Sequence, residues 1–279
     1  MKFRFDQDYH IHSQISLCSS DPEQTTGRIL RYAQECGLRQ ICLTDHFWDE
    51  TVSGAENFGF YRTQNSAWIS RAKPLPQAEG IEFLFGCETD LDRNLTLGIA
   101  PEHFDRFDFV IIPTTHLHMN GFTISPEDGA TAEGRACQWI KRLDAVLNMP
   151  LPFHKIGIAH LTCGLIAPKS REECLSVLNL LPTEELERLF AKAAAVGVGI
   201  ELNADDMKFS DGEADTVLRL YRIAKNYGCR FYCGSDAHHP GTFGPVREIF
   251  QRAIDLLGLQ ESDKFHIEKF AYRPDSANR

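Results

Sequence analysis

His10 and His12 stand two residues apart in Tyr9-His10-Ile11-His12-Ser13, close behind a short opening segment. Side chains of an extended segment alternate, so both imidazoles would leave the same face. Two nitrogen donors on one face begin a metal platform. The plain alternative is one hydrogen-bonded histidine and one solvated one, and ligand-type residues elsewhere decide between them. His46 follows Leu43-Thr44-Asp45, Glu88 follows Gly86-Cys87, and His160 follows Ile158-Ala159. His116 comes straight after Ile111 to Thr115, with His118 on the same side as the alternative. Asp236-x-His238 repeats the same-face pattern, and Asp21 lies in the polar loop beyond His12, where a solvated or helix-capping aspartate is the competing role.

Histidines with carboxylates suit zinc, manganese or iron, and the lack of a cysteine cluster speaks against a structural thiolate site. His10, His12, Asp21, His46, Glu88, His116, His160, Asp236 and His238 exceed what one ion needs. They suit two or three ions, with Glu88 as a bridge. Three divalent ions would outweigh the charge of Asp21, Glu88 and Asp236, leaving a positive site for hydroxide and an anionic substrate. A phosphate ester fits that balance in a chain of net charge -10. A carboxylate or amide substrate fits the same charge count.

These residues must be carried by elements. Short apolar runs recur seven times: beside Tyr9, at Gln40–Leu43, Ile81–Gly86, Phe109–Ile112, Lys155–Ala159, Gly197–Leu202 and Cys229–Cys233. Helical periodicity lies between most of them. Ile29, Leu30, Ala33 and Cys36 make one stripe, stopped at Gly37. Further helices are predicted near 61–72, 129–147, 172–181, 182–196 with Thr183 as its cap, 214–227 and 246–257. Strands alternating with helices indicate an α/β fold with parallel strands. Ligand-type residues follow six or seven strand ends. A closed barrel gathers all such ends on one rim, whereas an open sheet concentrates function at a switch point. A TIM-barrel-like closed architecture follows, in one domain over residues 1–279, since no linker divides the chain.

Composition narrows the function further. The chain is 43% hydrophobic and 24% charged, as expected of a soluble globular protein. Its acidity disfavours long nucleic acid and acidic membranes. No apolar run approaches a membrane span. Nine cysteines without CxxC pairs, and no leader ahead of His10, predict a cytoplasmic protein with reduced thiols. Asp45 could orient an imidazole or serve a turn, and Arg135, Lys155 and Lys169 could meet phosphate or water. His239, Asp205 and Asp206 could line a pocket, Cys163 is a weak donor, and His103, His154 and His266 have no positional claim.

The motifs together resemble the PHP family, named for polymerase and histidinol phosphatase, and its histidinol-phosphatase-type members most. The resemblance rests on Tyr9 to Ser13, Leu43 to His46, Gly86 to Glu88, the His116 region, Ile158 to His160 and Gly234 to His238. It implies a distorted (β/α)7 barrel and a site of three divalent metal ions, zinc, iron or manganese, that hydrolyses phosphomonoesters by metal-bound hydroxide. His10, His12, Glu88 and Asp236 would surround one ion, Glu88, His116 and His160 a second, and Asp21, His46 and His238 a third. His10, His12, Glu88, Asp236 and His238 are the catalytic set so implied. The expected partner is a small phosphorylated metabolite such as histidinol phosphate. A phosphodiesterase acting on nucleotides or short nucleic acid, and a non-catalytic metal-dependent binding domain, are the alternatives.

Overall fold

The apolar runs become parallel strands. The computed structural model describes residues 1–19 and 21–267. Its strand segments are β1 (Gln7–Ile11), β2 (Gln40–Leu43), β3 (His46–Phe47), β4 (Glu82–Phe85), β5 (Cys87–Thr89), β6 (Val110–Pro113), β7 (Ile156–Ala159), β8 (Gly199–Asn203) and β9 (Arg230–Gly234). They form two sheets, ordered β1-β2-β4 and β3-β5-β6-β7-β8-β9, and every pairing is parallel. The sheets run into one another at both margins. Gly86 alone separates β4 from β5, and Ile11 pairs in parallel with Ala237, just past β9. The result is an α/β fold whose parallel sheets resemble a distorted barrel.

Alternation along the strands sorts the side chains into two layers. Tyr9, Cys42, Leu84, Phe109, Ile111, Ala159 and Tyr232 belong to a small buried cluster. Their strand neighbours Ile41, Leu43, Val110, Ile112, Ile158, Phe231 and Cys233 belong to the large cluster, which also holds the helices' apolar faces. The small cluster is enclosed by the strands, with Tyr9, Phe109 and Tyr232 in mutual ring contact at 5.2–6.0 Å. Gly157 makes room for them, because a Cβ there would lie 2.5 Å from the Tyr232 hydroxyl. Each fully buried large aliphatic or aromatic side chain contributes about 1.5–3 kcal/mol.

The helices are α1 (Thr26–Glu35), α2 (Gly59–Thr63), α3 (Ser66–Ile69), α4 (Ala132–Asn148), α5 (Arg171–Leu180), α6 (Thr183–Val196), α7 (Ala214–Asn226) and α8 (Val246–Leu257). Thr25 caps α1 and Ser170 caps α5 through their hydroxyls. Two expectations change. The helical piece near 61–72 is split into α2, α3 and a 3-10 turn, because Asn65 leaves the helix to accept from Trp68 N–H and start a new one. Pro182, not Thr183, is the cap residue of α6; its ring fixes φ at -65° and Thr183 opens the helix itself. Among the described residues no helix is long and apolar enough to cross a membrane.

Candidate metal centre

The strand ends deliver their polar residues to one place. His10 is in β1 and His12 follows it; His46 opens β3, Glu88 lies in β5, and His116, His160, Asp236 and His238 follow β6, β7 and β9. Glu88 sits at the middle. Its Oε2 is 3.4 Å from His10 Nε2, 3.2 Å from His12 Nε2 and 3.1 Å from His46 Nδ1. Its Oε1 is 3.3 Å from His160 Nε2 and 3.8 Å from His116 Nε2. Asp236 Oδ1 lies 3.4 and 3.2 Å from His10 and His12. His160 and Asp236 reach these positions with φ of +26° and +51°, a region that non-glycine residues enter at a cost.

The imidazoles are held by their far nitrogens. His10 Nδ1 donates to Glu201 at 2.7 Å, and His116 Nδ1 donates to Asp90 at 2.7 Å. His238 Nδ1 donates to the Asp236 carbonyl at 2.7 Å. The Thr115 hydroxyl donates to the His160 carbonyl, so His160 Nδ1 donates to that oxygen at 2.9 Å. His12 Nδ1 pairs with the Ser16 hydroxyl at 3.2 Å. A proton fixed on Nδ1 leaves Nε2 with its lone pair, the arrangement of a metal-ligating histidine. Asp90 is held in turn by Arg142 of α4, whose guanidinium also donates to carbonyls of Leu91, Thr114 and Thr123.

Charge supports the same use. Burial works against the imidazolium of His10, yet Asp236, Glu201 and Glu88 raise its pKa well above the ordinary value. Burial likewise opposes His12, whose bonds to Asp236 and Glu88 raise its pKa to about 10. Burial would raise Glu88 and Asp236, but the imidazoles, His46 and His10 foremost for Glu88 and His10 for Asp236, hold both carboxyls well below their usual range. The carboxylates thus attract positive charge to the point between the rings. The His46 Nδ1, buried and without a hydrogen-bond partner, is a further idle donor there. Nitrogen and carboxylate donors, preset tautomers and this idle nitrogen fit divalent metal.

Four donor groups have ligand atoms within 4.8 Å of one another: His10–His12–Glu88, Glu88–His116–His160, His10–His160–Asp236, and His12–Cys18–His46–His238. Eight of the nine expected residues fall in these groups. Asp21 does not. Its carboxylate accepts from Glu23 N–H at 2.8 Å in a turn, and it borders a separate depression with Trp68 and Arg71. Cys18 brings its thiol to the His46 and His238 side instead. His116 rather than His118 enters a group, while His118 stands edge-on to it at 5.3 Å.

Sequence reasoning passed over Cys18, Glu201, Asp90 and Arg142. Glu201 left one signal, a lone carboxylate inside the apolar run Gly199-Ile200-Glu201-Leu202. Asp45 holds Ser13 through N–H and hydroxyl rather than an imidazole. Arg135 and Lys155 donate to backbone carbonyls, so neither reaches toward a substrate.

A cavity of about 310 Å³ opens over the cluster. Beyond the donor residues it is lined by Phe58, Phe60, Tyr61, His118, Met119 and Leu165.

Comparison with known proteins finds relatives along most of the chain. The family profile described as PHP domain matches residues 8–161. A probable phosphatase of Vibrio campbellii is 26% identical over 260 residues, covering 91% of this chain and 86% of that protein. A probable phosphatase of Caldicellulosiruptor bescii is 24% identical over 223 residues, covering 80% and 76%. Among solved structures, a histidinol phosphate phosphatase of Lactococcus lactis, complexed with zinc, L-histidinol and phosphate, is alike in fold. Its TM-score is 0.62 at 19% identity, over 94% of this chain and 98% of that one.

Proposed function

The chain belongs to the PHP domain family, and on that premise we propose that it hydrolyses a phosphate monoester of a small metabolite with three divalent ions. Zinc, iron and manganese all suit the donors. The observation that carries the reading is Glu88, buried with each carboxylate oxygen turned to a different set of imidazoles. His10, His12, Glu88 and Asp236 would hold one ion, and Glu88, His116 and His160 a second. His46 and His238, with Cys18, would hold the third. When bound, such ions supply Lewis acidity at the phosphoryl oxygens and an acidified water for attack.

The chain's own groups do the rest. Glu201 and Asp90 keep His10 and His116 in one tautomer and orientation. Asp236 and His238, both partly exposed, border the cavity where water and the departing alcohol would meet. In the balance, the ester P–O bond breaks, a P–O bond to the water oxygen forms, and the alcohol leaves with a proton. The strand segments count as seven staves of a distorted (β/α)7 barrel in one domain, with β2–β3 and β4–β5 each one interrupted stave. The names of the relatives support the phosphatase class, and histidinol phosphate belongs in the panel of small monoesters to be tested. A cavity of about 310 Å³ and a net charge of -10 weigh against long nucleic acid.

The test is phosphate release from a panel of monoesters, including histidinol phosphate, sugar phosphates and nucleotides, by protein of defined metal content. We expect release with metal and none after chelation. His10→Ala should lose bound metal and release together. Full metal loading with no release from any ester would leave a binding domain in place of an enzyme.

A further inference from the structure

We propose that the alcohol part of the substrate is apolar and flat, an arylalkyl group or a comparably hydrophobic one, and not an amino alcohol. This rests on the phosphomonoesterase reading and specifies what lies beyond the phosphate. The wall facing the donor cluster is built from Phe58, Phe60, Met119 and Leu165. Tyr61 adds only its ring, because its hydroxyl is spent on Asp90 at 3.1 Å. The aromatic part of this wall is braced from behind. Phe58 stacks on Phe122 at 4.3 Å with the planes 2° apart, and Tyr61 meets Phe60 edge-on at 5.1 Å. Phe60 in turn stands 5.1 Å from the ring of His46, so the apolar wall begins where the donors end.

Charge makes the choice of occupant. Among the described residues no lysine or arginine lines the cavity, so the phosphate has no protein cation and must be met by the metal donors' ions. Among the described residues the lining carboxylates are Glu88 and Asp236, and both are turned to the imidazoles. Outside the donor groups, among the described residues, His118 is the polar side chain in the lining with a group to spare, its buried Nδ1 having no hydrogen-bond partner. An ammonium placed here would lose water without gaining a counter-ion, and attraction to a ring face returns only part of that cost. A sugar's several hydroxyls would lose water without partners in the same way. A flat apolar group loses nothing and removes the phenylalanine faces from water. The cavity volume is at the lower end for small-molecule sites, enough for one ring beside a phosphate.

The experiment compares 2-phenylethyl phosphate with 2-aminoethyl phosphate, histidinol phosphate and glycerol phosphate on metal-loaded protein, all esters of alkyl alcohols. The expected order puts the phenylethyl ester about 10- to 100-fold ahead in kcat/KM. Leu165→Glu, at a rim position, should shift the ratio of phenylethyl to aminoethyl ester by roughly tenfold toward the amine. Calorimetry with benzylphosphonate and 2-aminoethylphosphonate reads the same preference without turnover. Tighter binding of the benzyl compound with no hydrolysis of any ester would sink the phosphatase reading and, with it, the substrate inference that rests on it. Equal or tighter binding of the aminoethyl compound, or equal or faster hydrolysis of the amino esters, would overturn the inference and leave the phosphatase reading intact.

Discussion

Asp206 is a buried carboxylate with one oxygen in use and the other idle. Oδ2 accepts from Thr162 N–H and from the Tyr221 hydroxyl, both at 2.8 Å, while Oδ1 has no partner. Burial, only partly offset by the nearby His160 and by these bonds, raises its pKa from 3.8 to about 6. The folded chain then holds this proton more tightly than the unfolded chain. Ionising Asp206 therefore costs stability as pH rises from about 4 to 6, and the cost stays in full above that, about 3 kcal/mol. Asp206→Asn keeps an oxygen for both donors and removes the charge. It should raise the stability of metal-depleted protein by about 1–3 kcal/mol at pH 8, a gain that fades by pH 4. Urea midpoints at the two pH values measure it, and a gain independent of pH would refute the buried-charge account. The sequence left Asp206 between a substrate contact and a surface group, because its partners lie 44 and 15 residues away. Donor-type residues behind apolar runs were legible as one cluster because strand ends converge. Loop spacing carries no such constraint, so the sequence could not show that Asp21 lies outside the donor groups and Cys18 inside one.

At the scale of elements, β9 ends on Gly234 against the side of β8 that carries Glu201. A Cβ at Gly234 would lie 1.9 Å from Glu201 Oε1 and 2.7 Å from His10 Cβ. This glycine therefore sets the spacing of three staves and the Glu201–His10 bond together. Gly234→Ala should destabilise the protein by about 1–3 kcal/mol and weaken metal binding by about 10- to 100-fold. Thermal melting and a metal titration test the two halves; wild-type values in both would show that the strands yield without cost. Much at this scale was readable: α8 runs over Val246–Leu257 as its periodicity requires, and Gly258 closes it with φ +62°. The seven apolar runs also became strands. What stayed hidden is where β2 gives way to β3 and β4 to β5. Those breaks mark a change of neighbour between the two sheets, which one chain's periodicity does not record.

For the whole molecule, six imidazoles, the Cys18 thiol and two carboxylates from six strand ends or the loops after them gather into four donor groups that share residues. Metal held there ties both sheets together and stabilises the folded state alone. Its contribution grows with free metal, by about 2.7 kcal/mol at a hundred times Kd. A chelator should lower Tm by several degrees, with recovery on adding zinc, manganese or iron. A Tm indifferent to both would place the ions outside the fold's stability. The closing of β1 onto β9 has a consequence for how the protein is made. The His12 amide donates to Ala237 O, and the Asp236 amide to His10 O. His10 and Asp236 are 236 - 10 = 226 residues apart. At a ribosome's usual pace, roughly 10–45 s pass between the birth of one and the other. An ion that meets the nascent chain in that interval finds the donor set without Asp236 and His238. The full donor set can therefore come together only after β9 has been made.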